Sequence, residues 1–152
     1  MIDDTTKSTK ITKTKCDILF LEGWCCGSSE IPKKILHKNI NNLEKIKDSK
    51  YQWRNFYNNK LKLEYKKLFK LFDELIFLKT SSFDNVFKWR LKQEKTNQSK
   101  NKKSKRMTPN EIKYFVQHYE KITKWMMKDL NKKAQIVIKF EKNHKISSIN
   151  FN

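Results

Sequence analysis

Apolar residues recur along this chain with two different periods. At residues 18–21 four apolar side chains stand together, Ile18, Leu19, Phe20 and Leu21. A run that short suits a strand buried on both faces better than a helix. From Tyr51 the period lengthens: Tyr57, Leu61, Leu68 and Phe72, with Tyr65 and Phe69 beside them, recur at three- and four-residue spacing. That spacing predicts a long amphipathic helix packed on a sheet. Leu75 to Leu78 is a second short apolar run, read as a second buried strand. Ser81, Ser82 and Asp84 offer caps to a helix carrying Val86, Trp89 and Arg90. The pattern is clearest at 108–126. Thr108 as cap, Pro109 in the first helical position and Glu111 three after the cap form a capping box. Ile112, Phe115, Val116, Tyr119, Ile122 and Met126 then mark one helix face. Residues 135–140 alternate as a strand, 141–144 as a turn and 145–151 as a returning strand.

Between these elements the chain is polar. Residues 1–16 are expected as a flexible lead-in, 28–38 as a loop around Pro32, and 41–48 as a short helix with Leu43 and Ile46 at helical spacing. Residues 95–107 hold a low-complexity stretch of Lys, Asn, Ser and Gln, expected as a mobile loop. Strands alternating with helices predict an α/β chain with a mainly parallel sheet and an antiparallel ending. A sheet that narrow leaves an apolar edge open unless something covers it.

Composition narrows the functional classes. A length of 152 residues fits one domain of ordinary size. No apolar run is long enough for a membrane span, and the polar amino terminus does not read as a secretory signal, so a cytoplasmic protein is expected. The net charge of +19 would ordinarily point to nucleic acid. However, the arginines are only Arg54, Arg90 and Arg106, the rest of the positive charge is lysine, and base-edge and phosphate recognition favour the arginine fork. A solvated lysine coat is therefore the preferred reading, and nucleic acid is disfavoured as a partner. The three cysteines, Cys16, Cys25 and Cys26, fit no zinc spacing and are read as reduced thiols.

Glu22 stands at the carboxyl end of the first apolar run, where ligands bind in open α/β sheets. Gly23 and Gly27, the only two glycines, follow it. Arg54 and Arg90 each follow a tryptophan, and a guanidinium offers a fixed fork for phosphate or carboxylate. Both are read as ligand contacts, the alternative being an arginine stacked on its tryptophan and paired with an acid such as Glu94 or Asp48. The mobile basic stretch after Arg90 has the form of a lid over a phosphate site. A glycine-rich loop of the type G-x-x-x-x-G-K-[ST], whose amides cradle phosphates, has no counterpart in the sequence.

Several segments taken together carry a family likeness. The series Leu21-Glu22-Gly23-Trp24-Cys25, Asn42-Leu43-Glu44 with Asp48, Trp53-Arg54 with Asn58 and Leu61, Phe83 through Trp89-Arg90 to Gln93-Glu94, and Met107-Thr108 to Phe115-Val116-Gln117-His118-Tyr119-Glu120 resembles the D-glycerate 3-kinase-like P-loop kinases. That family includes the plant-type glycerate kinase and its fungal ATP-binding relatives. The resemblance spans 17–152 and implies the carboxyl-terminal half of such a kinase. The implied fold is a partial three-layer sheet with few parallel strands, long flanking helices and a C-terminal antiparallel strand pair. It further implies transfer of the ATP γ-phosphoryl group, with Mg2+, to a hydroxyl of glycerate or a similar small acid. By position, Glu22 would be catalytic beside the magnesium or the acceptor hydroxyl. Trp24, Arg54 and Asn58 would bind substrate, and Arg90, Gln93 and Glu94 would belong to the lid, with 95–107 as its loop. The Walker A loop would come from a companion chain. A non-catalytic remnant that binds a partner or metabolite, and a lysine-rich nucleic-acid module, stay open beside this reading.

Overall fold

The computed structural model describes residues 15–100 and 106–152, the side chains of 97–100 excepted. The expected lead-in, up to residue 14, and the centre of the expected lid loop, 101–105, lie outside the described residues. Helices α1 (Lys33–Leu36), α2 (Asn42–Lys47), α3 (Gln52–Lys60) and α4 (Lys66–Phe69) precede strand β1 (Ile76–Thr80). Then come α5 (Phe83–Lys100), α6 (Pro109–Lys133), β2 (Ile136–Phe140) and β3 (Ile146–Phe151). The architecture is mixed α/β, with strand order β1-β2-β3, β1 parallel to β2 and β3 antiparallel to β2.

Local chemistry accounts for most boundaries. Thr108 accepts the Glu111 amide and Glu111 returns a carboxylate to the Thr108 amide, so the predicted capping box starts α6. Asn41 caps α2 by accepting the Glu44 amide. Pro32, with φ −55°, launches the single turn α1 inside what the sequence reads as loop. The long helix expected from Tyr51 is interrupted by a π turn, Leu61–Tyr65, between α3 and α4. This wider turn rotates the chain less per residue and so shifts the phase of the apolar stripe; Leu61 is buried while Tyr65 and Leu68 are exposed. The polar stretch expected to be loop from Lys95 instead continues α5 to Lys100.

Helix α6 is the hub of the core. Ile122, Met126, Leu130 and the following Ala134 pack with Phe77 of β1, Val137 of β2, and Ile31, Leu36 and Leu61. Strand pleating sends Phe77 and Val137 toward α6, while Ile76, Leu78, Ile136 and Ile138 point to the opposite face. Lys79 lies on the α6 side as well, its ammonium donating to Asn131 Oδ1 at 2.7 Å.

Residues 18–21 depart from expectation. They form no strand, and Leu19 and Phe20 are 87% and 81% exposed. Among the described residues the only hydrogen bond to this segment is from the Cys16 thiol to the Ile18 carbonyl. A strand is stabilised by its neighbours, and no described strand lies alongside to pair with it. The expected third parallel strand is therefore absent from the sheet.

Candidate functional site

A groove of about 410 Å³ opens over the carboxyl-terminal end of β1. Phe77, Leu78 and Thr80 of β1 line it together with Val86, Trp89, Arg90 and Gln93 of α5, Thr123, Met126 and Met127 of α6, and Trp24 and His144. This is the position at which open α/β sheets bind ligands. Trp24 is fixed there by stacking on Tyr119 at 4.7 Å and by its indole N–H donating to Thr123 Oγ1 at 3.0 Å. Trp89 stacks on His144 at 4.4 Å and donates to the Lys142 carbonyl at 3.0 Å, tying α5 to the β2–β3 turn. His144 holds that turn in the left-handed conformation, φ 66°. At the end of β1, Asn85 donates to Thr80 Oγ1 and Ser81 Oγ, fixing the strand-to-helix corner.

The structure thus brings Trp24, Arg90 and Gln93 to one groove. Arg90 sits 5.9 Å above the Phe115 ring and pairs with Glu94 at 2.6 Å. Glu94 in turn accepts the Met107 amide at 3.1 Å. That amide, with the Arg90 guanidinium, holds the Glu94 carboxyl below its ordinary range against the opposing effect of burial. Glu94 therefore ties the body of α5 to the residues just before α6, and the Arg90 guanidinium is anchored at the groove by that contact.

The other expected site residues lie elsewhere. Arg54 is 1% exposed, and its guanidinium is consumed internally. Nε donates to Asp48 at 2.8 Å, Nη1 to the Leu36 carbonyl at 3.1 Å and Nη2 to the Asp48 carbonyl at 2.7 Å, with Glu44 3.4 Å from Nη1. The Tyr51 ring lies 4.8 Å below it. Arg54, expected as an acceptor contact, here knits α1, α2 and α3 together and lines neither this groove nor the one between α3 and α6. Partial burial pushes the Asp48 carboxyl up, but hydrogen bonds from the Arg54 side chain and the Trp53 and Arg54 amides outweigh it and hold it below the usual range. Lys121 of α6 joins the network, 3.3 Å from Glu44 and donating to the Lys38 carbonyl at 2.5 Å. Asn58 is likewise a backbone clamp, accepting the Ile31 amide at 2.7 Å and donating to the Ile31 carbonyl at 3.0 Å. Glu22 is exposed on the open segment before Gly23 and lines neither groove.

A second, apolar groove of about 710 Å³ runs between α3 and α6, with Trp53, Phe56, Tyr57, Phe69, Phe115 and Tyr119 among its lining. Cys25 lies on its wall, and burial, then the neighbouring Cys26, push that thiol up to about 11. All three cysteines are free. Among the described residues no cluster of His, Cys, Asp and Glu could hold a metal by itself, and no helix is long and apolar enough to cross a membrane.

The sequence did not single out Trp89 or His144 for the groove, since each looks locally like packing. The available signal was the turn at 141–144, whose place over the sheet end depends on the β2–β3 pairing.

No family model and no curated protein sequence matches the chain. Among solved structures it superposes on D-glycerate 3-kinase from Cryptococcus neoformans var. grubii serotype A with a TM-score of 0.72 and 19% identity, over 97% of this chain and 54% of that one. It also superposes on the YGR205w protein with a TM-score of 0.54 and 22% identity, over 84% of this chain and 45% of the other. The chain therefore has a partial kinase-like fold and spans about half the length of the structures it resembles.

Proposed function

We propose that this chain is the acceptor-side and lid-side portion of an ATP-dependent small-molecule kinase, acting on the hydroxyl of glycerate or a similar small acid. The observation that carries the reading is the groove over the end of β1. A fold shared with a D-glycerate 3-kinase over 97% of the chain presents Arg90, Gln93 and Trp24 together at the strand end where substrates of such sheets bind. The residues present fit part of the chemistry. An arginine, an amide and an indole suit a carboxylate-bearing acceptor or a transferring phosphoryl group, for which the protein's task is positioning and charge neutralisation. Glu22 is a single carboxylate beside Gly23; magnesium is commonly held by one or two carboxylates together with substrate phosphates, so Glu22 would serve it only with nucleotide present. The nucleotide phosphates themselves do not fit this chain alone, because two glycines and no G-x-x-x-x-G-K-[ST] motif leave no amide cradle. A companion polypeptide bearing that loop completes the enzyme in this reading, and the chain by itself is inactive.

The test is phosphoryl transfer from γ-labelled ATP to D-glycerate and other small hydroxy acids. The chain is assayed alone and together with the portion of the fungal kinase that it does not cover. Turnover by the mixture, absent from either component and lowered about a hundredfold by Arg90→Ala, is expected. A folded one-to-one complex that transfers phosphate to none of these acids would overturn the assignment.

A further inference from the structure

Among the described residues the core packs against one face of the sheet. Opposite α6, Ile76, Ile136 and Phe151 stand side by side across the three strands, and Leu78, Ile138 and Ile149 form the next row. Leu78 is 63% and Phe151 77% exposed, and Ile76 and Ile149 are exposed as well. Sheets with parallel pairs are normally buried on both faces, and an open apolar face with a free edge invites association. β1 is hydrogen-bonded to β2 alone, so its other edge is free among the described residues. The unpaired segment 18–21 ends at Leu21, which lines the groove between α3 and α6, and Trp24, just after it, shares the other groove with Leu78 and Thr80 of β1.

Residues 1–14 carry Met1, Ile2 and Ile11 as their only apolar side chains, and 101–105 read Asn-Lys-Lys-Ser-Lys. A second copy would bring +19 against +19. The fungal kinase, by contrast, has nearly half its length without a counterpart here.

Building on the kinase reading above, we propose that this face and segment 18–21 are the docking surface for the companion polypeptide. It adds a strand along the free edge of β1, beside 18–21, and lays an apolar helix face over the two rows. The partner's exposed surface is net acidic, matching the lysine coat.

The probe is the uncovered portion of the fungal kinase, co-expressed with this full chain. Expected is a one-to-one complex in which amides of 18–21 and 76–80 gain hydrogen-exchange protection, with affinity reduced tenfold or more by Ile149→Glu or Phe20→Glu. Protection without any phosphoryl transfer keeps the docking surface and removes the kinase assignment. Protection confined to other segments, or a homodimer that protects 18–21 without the companion, overturns the docking surface. A measurement on the chain alone guards against a companion that does not fold. Ile149→Glu and Phe151→Glu should leave the melting temperature unchanged if the face is open, and a fall of several degrees would mean that the chain covers the face itself, which also overturns the proposal.

Discussion

Replacing Arg54 by alanine should destabilise the fold without touching a ligand. The substitution removes donors from the Asp48 carboxylate, the Asp48 and Leu36 carbonyls and the Glu44 side chain at once. Glu44, 6% exposed, would keep Lys121 at 3.3 Å and the Ile40 amide at 3.0 Å, while Asp48 would keep the Trp53 amide at 2.9 Å. Breaking a buried pair by deleting one partner costs about 3–5 kcal/mol, and the surviving contacts place this case at the lower end, about 3 kcal/mol. For a chain of this size that is a fall in melting temperature on the order of 10 °C. Arg54→Lys should recover less than half of the loss, because an ammonium cannot match the guanidinium fork. Thermal and urea unfolding followed by far-ultraviolet circular dichroism measure both. An Arg54→Ala variant melting with the parent, yet unable to bind a small acid that the parent binds in calorimetry, would refute the structural role and restore Arg54 as a ligand contact.

Other consequences are separately measurable. Thr108→Ala dismantles the α6 capping box and should cost about 1 kcal/mol by urea unfolding. Gly27 has φ +77°, and a Cβ there would come within 2.8 Å of the Leu75 side chain; Gly27→Ala should therefore cost about 1–2 kcal/mol in the same assay, and a neutral result would mean that the turn relaxes. Asp48 titrates lower in the folded chain than unfolded, so its contribution is fully present above about pH 4–5 and is lost as pH falls through the folded value. Melting curves from pH 6 to pH 2 should show this acid limb, flattened in Asp48→Asn. With the Cys25 thiol raised to about 11, roughly a thousandth is thiolate at pH 8. Iodoacetamide followed by peptide mass mapping should therefore label exposed Cys16 well before Cys25, and the reverse order would mean that the second groove is open to solvent.

The sequence by itself determined the elements whose signals are local. The Thr108-Pro109-Glu111 start of α6, its apolar stripe, the short helix within 41–48 and the three strands are written within a few residues of where they form, because caps and periodicity act over one or two turns. It also carried the likeness to a kinase fold, which the superposition shows at 19% identity. Tertiary structure decided what depends on residues far apart in the chain. Arg54 and Arg90 have the same Trp-Arg context, yet one is buried against Asp48 and Glu44 while the other walls a groove with Trp24 and His144. Lys121 looks like lysine coat but is 3% exposed, its ammonium held by Glu44 and the Ile35 and Lys38 carbonyls, and burial lowers its proton affinity. Residues 18–21 have the composition of a buried strand, but a strand exists only where a neighbour supplies the other half of each hydrogen bond, and no described strand pairs with them.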